Sequence, residues 1–240
     1  MQVLRRISLA AVAAAMFAAP AAAQPLPSAQ QVLDRYAQAI GGRDRVAAVQ
    51  SRRLVYQVTG GGMTIDMEAV QRRPNLGLAV MRTGMGEIRS GFDGSVAWAV
   101  NPMGPMVLEG VQADEVRIRS AFDADVLFDV YETIQTTERA EYGGKACWKV
   151  RMVAATGTEQ FRCFDVETGL LVALEATQNG MPVLAVYDEY KEFDGIKYPS
   201  RFTSSAMGDQ AVTVLVRVDH GDVPVSEFAL PDAVKALRQP

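Results

Sequence analysis

Hydrophobic alternation with a period of two, interrupted at short intervals by glycine- and asparagine-bearing turns, constrains this chain more than any other feature. Met63-Thr64-Ile65-Asp66-Met67-Glu68 alternates apolar with polar, as a strand with one buried face does. Val212, Val214, Val216 and Val218 alternate with Thr213, Leu215, Arg217 and Asp219. Between Lys145 and Met152, alternation places Ala146, Trp148, Val150 and Met152 on one face and Lys145, Cys147, Lys149 and Arg151 on the other. Turn signals separate such runs at Gly60-Gly61-Gly62, Pro74-Asn75, Phe92-Asp93-Gly94, Gly143-Gly144, Asn179-Gly180 and Asp194-Gly195. The pattern predicts roughly ten to twelve short strands joined mostly as hairpins. Such a mainly β chain forms a large antiparallel sheet that curls into a barrel or half-barrel.

Two segments carry a helical period instead. Ser28-Ala29-Gln30-Gln31 reads as a capping box, and Val32, Leu33, Tyr36, Ala37 and Ile40 then share one apolar face up to Gly41-Gly42. A short second helix from about Arg43 to Val49 follows. Residues 113–123 favour a third, with Ile118, Ala121 and Phe122 on one side and Asp114 and Glu115 placed for the first turn. No internal repeat or low-complexity linker interrupts the chain, so one β domain over residues 24–240 is expected after a leader.

That leader is the stretch 1–23. Arg5-Arg6 precede an uncharged apolar run from Ile7 to Ala19, and Pro20-Ala21-Ala22-Ala23 supplies small residues. The layout is that of a secretory signal peptide cleaved after Ala23. The apolar run is shorter than the ~20 residues a membrane span needs, and no cysteine follows for lipid attachment. A periplasmic location in a Gram-negative envelope is the expectation. The whole chain has 24 Lys and Arg against 28 Asp and Glu, and losing Arg5 and Arg6 makes it more acidic. Without a basic cluster, nucleic acid is not expected as a partner, nor is a polybasic grip on anionic lipid.

The catalytic vocabulary is sparse. His220, the single histidine, ends a valine-rich strand and reads as a strand-end surface residue, with no G-x-S-x-G elbow beside it. P-loop, dinucleotide-binding and H-E-x-x-H motifs are missing from the sequence, so no enzyme activity, cofactor or metal is expected. Asp123, Asp125 and Asp129 form an acidic cluster that lacks the glycine and terminal glutamate of an EF-hand loop. They read as solvated loop carboxylates, with a hydrolase built on Asp123 and Asp125 as the remote alternative.

Cys147 and Cys163 suit an oxidising compartment. If Lys145–Val153 and Thr158–Phe164 form a hairpin, one register sets Cys147 opposite Cys163 and Arg151 opposite Glu159, with a loop of three or five residues around Ala155. This predicts a cross-strand disulfide; a different loop would leave two free thiols. Nine methionines follow the leader, six of them between residues 63 and 106. Met is flexible and polarizable and suits surfaces that accept varied apolar groups. An open sheet lined by Met and coverable by two helices offers space for an acyl chain.

At this point the chain resembles the outer-membrane lipoprotein-sorting proteins of the LolA/LolB-like superfamily. The resemblance rests on the leader, the helix ending Ala39-Ile40-Gly41-Gly42, and the stretch Gly91-Phe92-Asp93-Gly94-Ser95-Val96-Ala97-Trp98. It also rests on Tyr190-Lys191-Glu192-Phe193-Asp194-Gly195-Ile196-Lys197-Tyr198-Pro199 and on Phe228-Ala229-Leu230-Pro231. It implies an unclosed antiparallel β-barrel of about eleven strands with helices as a lid, and a cavity that shields acyl chains. It further implies an inward arginine that holds the lid, for which Arg82 and Arg89 are candidates. The expected function is a monomeric, non-enzymatic periplasmic carrier or binder of a lipid or lipoprotein acyl chain, served by an inner- or outer-membrane receptor protein. The alternative is an envelope assembly module that recruits a protein through strand edges. The expected lining is Ile65, Met67, Met81, Trp98, Phe122, Leu127 and Phe128. Alternation states which residues share a face but not which face points inward.

Overall fold

The computed structural model describes residues 25–122, 130–178 and 180–238. Two helices come first, α1 (Ala29–Ala39) and α2 (Arg43–Ala48). Six strands follow: β1 (Ser51–Gly60), β2 (Met63–Arg72), β3 (Leu76–Thr83), β4 (Gly86–Phe92), β5 (Ala97–Asn101) and β6 (Gly104–Val107). Helix α3 (Gly110–Ser120) then leads to β7 (Tyr131–Tyr142), β8 (Lys145–Ala154), β9 (Glu159–Asp165), β10 (Leu171–Gln178), β11 (Met181–Phe193), β12 (Ile196–Ala206) and β13 (Asp209–Asp219). A 3-10 turn (Val225–Phe228) and α4 (Asp232–Ala236) end the described chain.

All thirteen strands belong to one antiparallel sheet in the order β6-β5-β4-β3-β2-β1-β13-β12-β11-β10-β9-β8-β7. β6 and β7 are its two edges, so the sheet is open. The strand count exceeds the expected eleven. β5 and β6 span only five and four residues, too few to show alternation, and Pro102 and Pro105 obscure them further. Nearly every neighbour in the sheet is a sequence neighbour, which the hairpin turns dictate. The exception is β13, which returns beside β1 and places both chain ends of the sheet at its centre.

The capping box forms: Ser28 Oγ accepts from the Gln31 N–H at 3.2 Å and Gln31 Oε1 accepts from the Ser28 N–H at 2.9 Å. Helix α3 starts three residues earlier than its periodicity suggested. Asp114 and Glu115 therefore sit a turn inside it, and Asp114 is buried. The last strand also departs from expectation. A register slip between Val55 and Tyr56 sets Leu54 opposite Val218 but Tyr56 opposite Leu215. A bulge of this kind exchanges the faces of everything beyond it. Leu215 and Thr213 are consequently buried while Val216 is exposed.

The β8–β9 hairpin pairs Cys147 with Asp165, Lys149 with Cys163, Arg151 with Phe161 and Val153 with Glu159. This register lies two residues from the expected one. Parity is preserved, so the expected partners still meet, now as diagonals. Cys147 and Cys163 form a disulfide with their Cα atoms 5.5 Å apart, and Arg151 donates to Glu159.

Each face of the sheet is covered differently along its length. On the hollow face, α1 lays Val32, Leu33, Tyr36, Ala37 and Ile40 onto Val150, Met152, Phe164, Leu171, Ile196 and Tyr198. Tyr36 and Phe164 rings meet at 5.1 Å. Gly41 lets the end of α1 press onto the next layer: it holds φ +126, and a Cβ there would strike the Gly195 carbonyl. The Lys197 N–H donates to Ile40 O at 2.8 Å beside it. Helix α3 covers β3–β5, with Ala113 and Val116 on Phe92 and Ala97. On the outer face, the chain after β13 folds back so that Val223, Phe228, Leu230 and Val234 cover Val70, Leu78, Val80, Val96 and Trp98.

Candidate functional site

Between α3 and the sheet lies a cavity of about 380 Å³, the lower part of the range typical of ligand sites. One wall is Leu54 and Tyr56 of β1, Met67 and Ala69 of β2 and Ala79 of β3. Their order follows from the ladder: Leu54 opposes Ala69, Tyr56 opposes Met67, and Ala69 opposes Ala79. The other wall comes from the far half of the sheet, through Leu171, Leu174, Tyr187 and Phe202. Val116 and Ile118 of α3, with Ala121 just after it, form the cover. The walls are thus aliphatic and aromatic, and they join residues 92 or more positions apart in sequence.

Polar residues line this cavity from several elements, Ser90, Arg119 and Ser120 among them, and two sets are tied by side-chain hydrogen bonds. On β9, Arg162 is buried. Gln160 presents its amide oxygen to Arg162 Nε and Nη2, each at 3.1 Å, and the Tyr131 hydroxyl lies 3.4 Å from Arg162 Nη2. On β1, Arg52 is also buried. Its Nε donates to Gln71 Oε1 at 2.7 Å, and Gln71 Nε2 donates to the Arg119 carbonyl of α3. The hollow face therefore combines apolar walls with guanidinium and amide groups held in fixed orientation, an arrangement able to take an amphiphile.

Helix α3 is fastened at both ends. Gly77 of β3 lets its last turn touch the sheet, since a Cβ there would collide with Ser120 Cα, Cβ and Oγ. The Phe122 N–H donates to Pro74 O at 3.2 Å. The Phe122 ring is wedged between two guanidinium groups, Arg52 at 4.6 Å and Arg73 at 4.5 Å from its centroid. Arg73 also donates to Val49 O and Val46 O, which ties α2 to the same anchor. At the other end, Asp114 Oδ2 accepts from Thr158 Oγ1 at 3.2 Å. Thr158 belongs to the β8–β9 turn, so this bond crosses from one half of the sheet to the other.

The residues expected to line the cavity are dispersed by the structure. Met67 is on its wall. Ile65 and Met81 share its face, Ile65 two residues along β2 and Met81 directly opposite Met67, beyond the enclosed part. Trp98 is not a lining residue: it opposes Gly91 on β4 and Val107 on β6 and is buried on the outer face beneath Phe228 and Val234. Phe122 anchors α3. Leu127, Phe128 and the acidic group Asp123, Asp125 and Asp129 lie outside the described residues, as does the leader. Arg82 and Arg89 point to the outer face, where Arg82 pairs with Glu68 and Glu87 at 3.9 and 3.7 Å and Arg89 lies over Trp98. The guanidinium groups that reach the end of α3 are Arg52 and Arg73. Neither stands in a motif; the one available signal was that Arg52 precedes Leu54 and Tyr56 on the same parity.

His220, at the strand end, is partly buried rather than freely exposed. Its ring is held between the Tyr198 hydroxyl, 2.8 Å from Nε2, and Asp194 Oδ2, 2.8 Å from Nδ1. Tyr198 in turn lies 5.7 Å from the Arg52 guanidinium. This chain of contacts braces the β11–β12 turn against β13 and the floor of the Arg52 anchor. Among the described residues, no group of three or more His, Cys, Asp and Glu side chains is placed to hold a metal ion. No described helix is long and apolar enough to cross a membrane.

No protein-family model and no curated protein matches the sequence. Solved structures do match in three dimensions. A LolA superfamily protein from Nitrosomonas europaea superposes with a TM-score of 0.61 at 11% identity, covering 85% of this chain and 98% of its own. A DUF1329 family protein from Desulfovibrio piger gives 0.58 at 12% identity over 84% and 97%. An outer membrane lipoprotein-sorting protein domain from Vibrio parahaemolyticus gives 0.54 at 8% identity over 80% and 92%. This chain accordingly has the fold of the LolA superfamily and outer membrane lipoprotein-sorting structures.

Proposed function

We propose that the protein is a non-enzymatic binder or carrier of an amphiphile in the cell envelope, holding an acyl chain in the cavity between α3 and the sheet. The observation that carries this reading is the cavity itself: apolar on both walls, closed by a helix fastened through side chains and hydrogen bonds, and supplied with buried arginines. Burial of each methylene contributes about 0.8 kcal/mol, so apolar walls alone give a long chain substantial affinity. Met67 lines the enclosed part, and Ile65 and Met81 extend the same face. Leu127 and Phe128 stay within the proposal as members of the segment that follows α3. The shared fold with an outer membrane lipoprotein-sorting domain supports a lipid or lipoprotein acyl chain as cargo, and the leader supports the periplasm as location. A membrane receptor protein and a monomeric state complete the reading. The protein-recruiting alternative draws on β6 and β7, the two edges of the sheet.

The test is titration of a fluorescent fatty acid into the purified protein, with native mass spectrometry of the gently isolated form. Saturable binding is expected, together with a co-purifying lipid. Met67→Glu sets a charge on the apolar wall and should weaken binding by about tenfold or more while leaving the circular dichroism spectrum unchanged. A protein that carries no lipid and does not bind the probe is not an acyl carrier; stoichiometric capture of a protein along β6 or β7 would then favour the recruiting module.

A further inference from the structure

The four most exposed large hydrophobic side chains of the described molecule are Met103 at 91%, Met85 at 86%, Met207 at 80% and Met63 at 68%. Each sits at the tip of a β-hairpin. Met181, also exposed, starts β11 at a fifth tip. Strand directions put all five at the same end of the sheet. The β5–β6, β3–β4, β1–β2, β12–β13 and β10–β11 turns are successive in the sheet order, and β1 and β13 pair Gly60 with Ala211 beside two of them. Neighbouring tips are two strands apart, roughly 10 Å. The sixth turn at this end, 155–158 between β8 and β9, carries no Met.

Charge is sparse on this rim: Asp209 follows the β12–β13 tip, and Arg82 and Glu87 face each other one pair in from the β3–β4 tip. Residues 54–65, 83–86, 94–108, 176–187 and 202–208, which run up to and over the five tips, contain no Asp, Glu, Lys or Arg. The turns at the opposite end include Arg73, Asp93, Glu167 and Asp194. One end of an acidic protein thus carries few charges at its tips and is studded with single flexible apolar side chains. A protein interface concentrates on a packed centre with aromatic and Arg anchors, and these tips have none. A bilayer surface needs only apolar side chains free to enter the headgroup region, and a rim without a cluster of cations has no preference for anionic lipid. The rim is also continuous with the cavity. Met63, Ile65 and Met67 succeed one another on one face of β2, and Met67 is a cavity wall.

We propose that this methionine-tipped rim docks on a lipid bilayer through zwitterionic headgroups, with the Met63–Ile65–Met67 strip as the path of an acyl chain between bilayer and cavity. The docking stands on the rim alone; the path rests on the carrier reading.

The experiment is flotation of the chain beginning at Gln24, which contains every described residue, with vesicles of phosphatidylcholine and phosphatidylethanolamine at low and high salt. The wild-type chain should float at both salt levels. The combined variant Met85→Gln, Met103→Gln, Met207→Gln changes only exposed tips. It should lose about tenfold or more in vesicle partitioning while keeping its circular dichroism spectrum and its affinity for a fluorescent fatty acid in solution. Failure of the wild-type chain to float overturns the proposal. So does a variant that floats equally well, or flotation that needs phosphatidylglycerol and vanishes in salt. A variant that floats normally but no longer binds a receptor protein assigns the rim to that protein instead. Loss of fatty-acid binding with intact flotation counts against the cavity reading and leaves the rim standing.

Discussion

The two halves of the sheet are stabilised in different ways. β1–β6 are covered on both faces: α3 lies in the hollow, and the chain after β13 straps the outside. Ser51 and Arg72 hold that strap. Ser51 Oγ donates to Gly221 O at 2.8 Å and accepts from the Val223 N–H at 3.0 Å, and Arg72 Nη1 donates to Val223 O at 2.7 Å. Arg53 pairs with Glu227. β7–β12 have α1 and α2 in the hollow and, among the described residues, a small outer cluster of Cys147, Cys163, Val172 and Ala173, closed by the disulfide. A large open sheet needs both faces secured. One half does so with additional chain, the other with a covalent link beside a small cluster. The cavity lies at the seam, where a helix fastened to the first half reaches the second through Asp114 and Thr158.

Three perturbations test this division, in order of expected effect. Phe228 is fully buried on the outer face of the first half, and Phe228→Ala should cost about 3–5 kcal/mol in chemical denaturation. Hydrogen exchange should quicken in β2–β5 and stay slow in β8–β10; equal acceleration in both would mean that the halves unfold as one unit. Replacing both cysteines by Ala should cost about 3 kcal/mol for a link across 16 residues in the chain-entropy view. Here the acceleration should fall in β8–β10 and spare β3–β5.

Acidification gives the smallest effect, again in the second half. Burial raises the Glu175 carboxyl, but hydrogen bonds from Tyr142 and Lys149 outweigh it and hold the group below its usual range. Asp165 behaves alike: burial raises it, and bonds from the Thr168 N–H and hydroxyl and the Glu167 N–H bring it down. Folded carboxyls depressed in this way stabilise fully above their unfolded values, and that stabilisation is lost as pH falls through the folded ones. Between about pH 6 and about pH 3, exchange in β8–β10 should rise before exchange in β3–β5. Glu175→Gln should remove part of that pH dependence, and the opposite order of opening would refute the assignment.

Much of the architecture was legible because it is local. The capping box needs only Ser28 and Gln31, and the hairpins need only their turn residues. The disulfide followed from parity even though the register was off by two, because a shift of two residues leaves every side chain on its own face. The valine-rich strand was misread for the complementary reason: one bulge at Val55–Tyr56 exchanges faces, and nothing in the local alternation announces it. Trp98 went to the wrong face because alternation is symmetric between inside and outside. Its true cover, Phe228 and Val234, arrives from 130 or more residues further along the chain. Arg52 and Arg73 were missed as anchors because a guanidinium stacked on Phe122 leaves no spacing rule in the sequence.

The sequence by itself determined that this chain makes a meander of antiparallel strands, that Cys147 and Cys163 share a face, and that two helices are available to cover a hollow. Those properties depend on residues a few positions apart. Only the tertiary structure decided which face became the hollow, which arginines reached α3 and which hairpin tips were gathered into one methionine-bearing rim. Each of those outcomes requires burial or juxtaposition of segments far apart in the chain, and a pattern with a period of two carries no information about what lies above or below the sheet.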